Sequence, residues 1–483
     1  MLLIQKRMTK TFFALLSLPA TAMGFALSIQ ISALSWILST KYNLNIDDVG
    51  LVWASGPIAG ILGQVIVGII SDKVWMWNGR RRPFILIGGF LAAMMLLALP
   101  NIDVISGSLG FEGILGVAIA VALTLDLAIN VSFNPTRSII ADVTKEGTER
   151  TQGYAWMQTV SGTFGVLAYV IGAVWNNYVL IYLGVGLVLF LSIIPLFFIE
   201  EPRELAHDEN ANENTSVQKT SFLEILNNIQ PLWGFFIYSI YAITMRLLHI
   251  KFDNYYAEII CFAITIFFIF KVLIQKVEGK SKHDAGIIGF KKVLAAHSFT
   301  WVGIQTMFVY MFAYVQYKVY NYAPGSDIPS NVQVEMGRIV SISFLILNAV
   351  GAILPAFVLE PITRKIGRVK THAICISSMA VAYAGLLFFG FQPTTIYIFM
   401  GLLGIGWAAT ISLPFAIMSQ KVDQSKMGLY MGLFNLAVVL PQLVASFGVG
   451  QAVSAAPDKS LIFIISTISL AISGALWFFV REE

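Results

Sequence analysis

A chain of 483 residues in which 12% are charged and 57% hydrophobic departs far from water-soluble domains, about a quarter charged and half apolar, and it needs lipid as its solvent. No stretch outside its apolar segments is long enough to bury a core of its own, which excludes an extramembrane catalytic domain and points away from an enzyme. The net charge of +4 sits in short loops rather than along one face, which excludes a nucleic-acid surface.

A membrane-crossing helix needs about 20 mainly apolar residues, and about fourteen such runs follow one another along the chain. Lys6, Arg7 and Lys10 before an apolar run from Phe12 imitate a secretory leader. That run continues to about Leu38, however, long enough to span, and is expected to stay as the first helix. Six spans are predicted near 11–38, 49–71, 83–100, 115–140, 153–175 and 178–199. The polar stretch Glu200 to Gln218 has no periodicity and reads as a solvated linker. Two further apolar runs, near 232–250 and 256–275, are joined by Arg246, His249, Lys251 and Asp253; this insert either crosses as a hairpin or lies along the inner surface, with crossing favoured. If it crosses, a peripheral pair without a chemical role is expected. Six more spans close the chain near 293–317, 337–359, 371–391, 394–418, 427–451 and 460–480. The expected organisation is an all-α membrane protein with a six-helix bundle over 1–200, a linker plus inserted helix pair over 201–292, and a second six-helix bundle over 293–483.

Positive charge sets the orientation. The N-terminus, the loop with Lys73, Arg80, Arg81 and Arg82, the loop with Lys145 and Arg150, and the loop with Arg364, Lys365, Arg368 and Lys370 all fall on one side. The opposite loops Asn101 to Glu112 and Asn176 to Tyr178 carry no Lys or Arg, so both termini are expected in the cytoplasm of a plasma or bacterial inner membrane. Cys261 and Cys375 are too few for a disulfide framework.

A spacing relates the two sets of six. Asp72 precedes Gly79 by the same seven positions that separate Glu360 from Gly367, and an arginine follows each glycine, Arg80 and Arg368. Two parallel six-helix halves joined by a cytoplasmic loop resemble the major facilitator architecture, in which a ligand site near the bilayer midplane is expected.

Asp126 is the sharpest chemical feature, because it lies mid-span in Leu-Thr-Leu-Asp-Leu-Ala. A carboxylate there is costly unless it faces a wet cavity, finds a partner or holds a proton. A group that is neutral when dry and charged when wet is what proton coupling requires. Eleven positions on, Arg137 returns to nearly the same helix face, with Asn130 on the same stripe. The alternatives are a structural acid at Asp126 and an arginine that only marks the end of the span.

Asp72, Arg80, Arg81, Arg82, Asp142, Glu360, Arg364 and Arg368 read as a cytoplasmic gate of ion pairs, or as topology determinants alone. Inside the spans Gln30, Asn134, Gln158, Gln305, Asn435 and Gln442 offer amides, and Trp301 and Trp407 offer flat rings. Amides read sugar hydroxyls while aromatic faces cover the apolar sides of a pyranose. Each amide alone is as well explained by helix packing. Gly279-Lys280-Ser281 lacks the first glycine of a phosphate loop, with Ile274 in its place, and the five histidines are scattered. No metal site or cofactor is expected, and the energy must come from an ion gradient.

Gly56-Pro-Ile-Ala-Gly60 with Gln64, Ser71-Asp72 and Gly79-Arg-Arg-Arg-Pro-Phe84 resembles the sucrose/proton symporter branch of the major facilitator superfamily. Asp126 through Asn130, Pro135, Arg137 and Ala141-Asp142 is similar to that family's fourth span. Gly404-Ile-Gly-Trp407, Ser412-Leu-Pro414 and Met431 through Asn435 to Gln442 are similar to its bacterial and animal members, which carry sucrose, maltose or related glycosides. The resemblance implies proton-coupled uptake of a sugar, with Asp126 carrying the proton and Arg137 as its partner near the sugar. The chain is expected to act as a monomer in the bilayer. At the end of span seven, where plant members carry an acidic and basic cluster, this chain reads Tyr314-Val-Gln-Tyr-Lys318. The competing readings are an exporter of drugs or metabolites on the same fold and a transport-silent membrane sensor.

Overall fold

The computed structural model of the chain describes residues 3–61, 63, 74–110, 113–145, 148–202, 222–248, 250, 254–277, 279–323, 326–422 and 426–482. Among the described residues it is helical, with an isolated bridge between Met76 and Gly79. Ten helices there are long and apolar enough to cross a membrane. The predicted linker from residue 203 on, and the second span beyond residue 63 with Gln64 and Asp72, lie outside the described residues.

The chain divides into two compact units, one of Met1–Leu44, Ser55–Gln218 and Asp327–Ile342, the other of Asn45–Ala54, Lys219–Ser326 and Ser343–Glu483. The first contains α1 (Lys10–Thr40), and α2 (Ile46–Trp53) belongs to the second. The first continues with α3 (Arg82–Ala98), α4 (Ile102–Leu109), α5 (Ile114–Val143), α6 (Thr148–Val174) and α7 (Asn177–Phe198). Helix α1 starts where the Thr9 hydroxyl accepts the Phe12 N–H at 3.2 Å, a side-chain cap for an otherwise unpaired donor. It packs on α6, α7 and α5, and α3 packs on α5 and α7. Phe12, Leu16, Ile85, Ile139, Ile140 and Leu196 close an apolar core at one end of this unit.

On α7, Leu183, Phe190 and Phe197 repeat every seven residues and are 46%, 57% and 74% exposed, while Leu180, Gly184, Val188 and Leu191 face inward. An outer face that apolar is stable only against lipid. The third span runs further than the predicted 83–100, reaching Leu109 as one apolar run from Arg82. Pro100 interrupts the helical ladder. The Tyr42 hydroxyl bridges the break, donating to the Leu99 carbonyl at 2.7 Å and accepting the Ile102 N–H at 3.0 Å.

The second unit contains α8 (Trp233–Leu247), α9 (Tyr256–Leu273), α10 (Lys282–Tyr314), the later part of α11 (Ser330–Leu354), α12 (Glu360–Ile366), α13 (Arg368–Phe389), α14 (Pro393–Ser419), α15 (Met427–Val444), α16 (Gly450–Ala455) and α17 (Leu461–Trp477). Helix α10 begins at Lys282 rather than near 293, because Ser281 caps it, accepting the Asp284 N–H at 3.1 Å. The insert forms two helices that pack on each other, α8 along α15 and α9 along α10. At the hairpin tip Arg246 forms an ion pair with Asp47 of α2 at 2.8 Å and stacks on Phe447 at 5.5 Å. A π turn over Ala445–Val449 joins α15 to α16, and the Tyr310 hydroxyl bonds the Ala445 and Ser446 carbonyls at 3.1 Å.

Candidate functional site

In the first unit the chemistry gathers on Asp126, which is 4% exposed in the middle of α5. Gln30 of α1 donates its amide to both carboxylate oxygens, at 3.0 and 3.1 Å, and the Ser55 hydroxyl donates to Oδ2 at 2.8 Å. Gly56 stands beside them, where an added Cβ would lie 3.5 Å from Oδ2. Among the described residues no cation pairs with Asp126. Burial disfavours the charged form and hydrogen bonds to the carboxylate favour it.

The structure does not bring Arg137 to this carboxylate. Eleven residues at 1.5 Å rise separate the two by about 16 Å along α5, and the Arg137 guanidinium stacks on Phe133 at 5.2 Å. Helical phase put both on one stripe, but a shared stripe does not bridge three turns. The Asn130 amide donates to the Asp126 backbone carbonyl at 2.8 Å rather than to the carboxylate. Asn134 lies on α5 with its side chain outside the described residues, and Gln158 is exposed on α6.

The second unit assembles the predicted rings and amides. Trp301 of α10 and Trp407 of α14 meet edge to face at 6.3 Å, with Phe308 5.4 Å from Trp407. The Trp407 indole donates to Asn348 Oδ1 at 3.2 Å, and Gln442 of α15 donates to Gln305 Oε1 of α10 at 3.2 Å. Trp301 is held by a hydrogen bond to Nε2 of the buried His297 at 2.9 Å. Asn435 is half-buried on α15. The unit thus presents two fixed indoles beside paired amides, an arrangement able to cover an apolar ring face and meet hydroxyls.

The predicted gate residues form local pairs. Arg81 Nε donates to Asp142 Oδ2 at 3.0 Å, with both side chains nearly enclosed, at 8% and 11% exposure. Glu360 pairs with Arg364 one turn along α12 at 2.6 Å, both exposed. Glu201, at the start of the predicted linker, accepts the backbone N–H groups of Arg80, Arg81 and Arg82, each at 2.8 Å. Arg82 also donates to the Leu196 carbonyl. Glu482 does the same for Arg368 and Val369, at 2.6 and 2.8 Å. A carboxylate on the free N–H groups and positive dipole end of a helix is favourable. The repeated Gly-Arg now has a reason: an added Cβ at Gly79 would lie 2.6 Å from Glu201, and one at Gly367 2.5 Å from Glu482. Neither acid carries a local sequence signal; the sole clue was that each closely follows the last span of its half. Ser55 was missed as well, since its partner lies 71 positions away.

A family model described as Major Facilitator Superfamily matches residues 16–446. The chain is similar to sucrose transport protein SUC4 of Arabidopsis thaliana, 23% identical over 83% of this chain and 76% of the relative. It is also similar to sucrose transport protein SUT2 of Oryza sativa subsp. indica, 25% identical over 83% and 78%, and over 32% of its length to the general alpha-glucoside permease of Schizosaccharomyces pombe, 28% identical over 31% of that relative. Among solved structures, an auto-inhibited POT family peptide transporter matches with a TM-score of 0.65 at 11% identity, covering 98% of this chain and 97% of that one. The nucleoside transporter NupG, as a D323A mutant, matches with a TM-score of 0.60 at 14% identity over 97% and 98%. Taken with the helical spans, the match along most of its length means that this chain belongs to the Major Facilitator Superfamily and is a multi-pass membrane transporter, not an enzyme.

Proposed function

We propose that this transporter carries a sugar or glycoside, a disaccharide such as sucrose or maltose, together with a proton by alternating access, with both termini and the arginine-rich loops in the cytoplasm. One observation carries the coupling: Asp126 is an enclosed acid inside a span whose described partners, Gln30 and Ser55, are neutral. An acid bound to neutral donors can take up and release a proton when water reaches it, whereas a permanent ion pair would hold its charge. The sucrose transport proteins among its relatives and the indole and amide cluster of Trp301, Trp407, Gln305 and Gln442 support the cargo class. The side chains of the first unit assigned to coupling are Asp126, Gln30 and Ser55. No cofactor is required, because a proton crossing about 100 mV supplies roughly 2.3 kcal/mol, enough for more than tenfold accumulation of a neutral solute.

Proteoliposomes with an imposed pH gradient test this reading. The wild type should accumulate a disaccharide, while Asp126→Asn should lose gradient-driven accumulation and keep counterflow exchange of the same sugar. Accumulation that survives this substitution refutes the assignment of the proton to Asp126. A panel in which nucleosides, peptides or drugs are moved and sugars are not refutes the cargo.

A further inference from the structure

We propose that the groove between the inserted hairpin and the helices it leans on is a binding site for a membrane phospholipid with a primary ammonium headgroup, seated against Glu258. The groove lies wholly within the second unit and has a volume of about 360 Å³, walled by α8, α9, α10, α17 and the junction of α15 with α16. That volume falls in the roughly 300–1,000 Å³ range of small-molecule sites.

Its polarity is graded along its length. Tyr255 and Glu258 sit where α9 leaves the hairpin tip, and Gln451 of α16 also lines the groove. From Glu258 the helix descends about 10 Å to Thr265, and over that distance the wall becomes Cys261, Phe262 and Phe299. A cavity with a carboxylate at one end and, beyond it, a mostly apolar wall in which Thr265 turns its hydroxyl to the Cys261 carbonyl at 2.9 Å matches an amphiphile with its headgroup at the tip. Tyrosines at that end are the side chains that settle at the level of lipid headgroups.

Glu258 selects the headgroup. Its Oε2 is buried and accepts no hydrogen bond, and among the described residues no cation pairs with it. A carboxylate against an apolar wall is costly unless a donor or an opposite charge meets it. A primary ammonium supplies both, with N–H donors and a positive charge in one group. A quaternary ammonium brings charge without an N–H donor, and an anionic headgroup is repelled.

Native mass spectrometry of the purified full chain, with phosphatidylethanolamine, phosphatidylcholine, phosphatidylglycerol and a sterol added in turn, tests the proposal. Phosphatidylethanolamine should be retained roughly tenfold better than the other three, the worth of one charge-assisted hydrogen bond. Glu258→Gln should bring its retention down to the phosphatidylcholine level. Ile465→Trp, which fills the groove and leaves the carboxylate in place, should lower retention of every phospholipid. Equal retention of all lipids by the wild type, a preference for the sterol or the anionic lipid, a preference that survives Glu258→Gln, or indifference to Ile465→Trp overturns the site.

Discussion

The loop that leads into α3 and the loop that leads into α13 carry the same Gly-Arg spacing and solve the same local problem differently. Both place a glycine and an arginine at a helix start, and in both a carboxylate from beyond the last span of the same half holds the free N–H groups, Glu201 for one and Glu482 for the other. The glycines are needed for different reasons. Gly79 provides room for a carboxylate oxygen, whereas Gly367 provides room and also adopts φ +91, which side-chain-bearing residues avoid. The arginines diverge further: Arg81 turns inward to the nearly enclosed Asp142, while Arg364 stays at the surface with Glu360, where the two side chains are 76% and 56% exposed. The backbone clasp is therefore the repeated device, and the salt bridge beside it is a strong tie in one half and a weak one in the other.

Four substitutions test that contrast, read by denaturant unfolding in detergent micelles. Asp142→Ala should cost the most, about 3 kcal/mol, because it removes one partner of an ion pair whose side chains are only 8% and 11% exposed. Glu201→Gln should cost about 2 kcal/mol, since three charge-assisted bonds to backbone N–H groups are weakened together. Gly367→Ala should cost roughly 1.5 kcal/mol through its backbone angle and the displaced Glu482. Glu360→Gln should cost no more than about 0.5 kcal/mol, the range of an exposed pair one helical turn apart. Equal losses for Asp142→Ala and Glu360→Gln would erase the difference in burial on which the comparison stands. A Gly367→Ala protein as stable as the wild type would mean that the second loop relaxes without its clasp.

The same contrast separates what a short stretch of residues shows from what contacts between distant residues decide. Span positions were legible because hydrocarbon demands some twenty apolar residues in a row, a local requirement that composition meets visibly. The exceptions are informative: α3 with α4 continues past Pro100 because a tyrosine from another loop repairs the ladder, and α10 starts early because Ser281 caps it. The glycine spacing was legible as a repeat, yet its cause was not, since Glu201 lies 119 to 121 positions from the groups it holds.

Asp126 stood out from the sequence because an acid in the centre of an apolar run is costly wherever the chain folds. Its neighbours did not: helical phase put Arg137 on the same stripe and the family resemblance made it the partner, and neither fixes the distance between the two side chains. A short window of residues was enough for the solvent the chain needs, for its helical spans and for the acid at mid-span, Asp126. The tertiary structure decided the rest: the partners of Asp126, the clasps of Glu201 and Glu482, the depth of the Arg81 pair, and the hairpin seated on α10 and α15. Each of these joins groups far apart in the chain, and such contacts form only when separate helices bring their side chains within hydrogen-bonding distance.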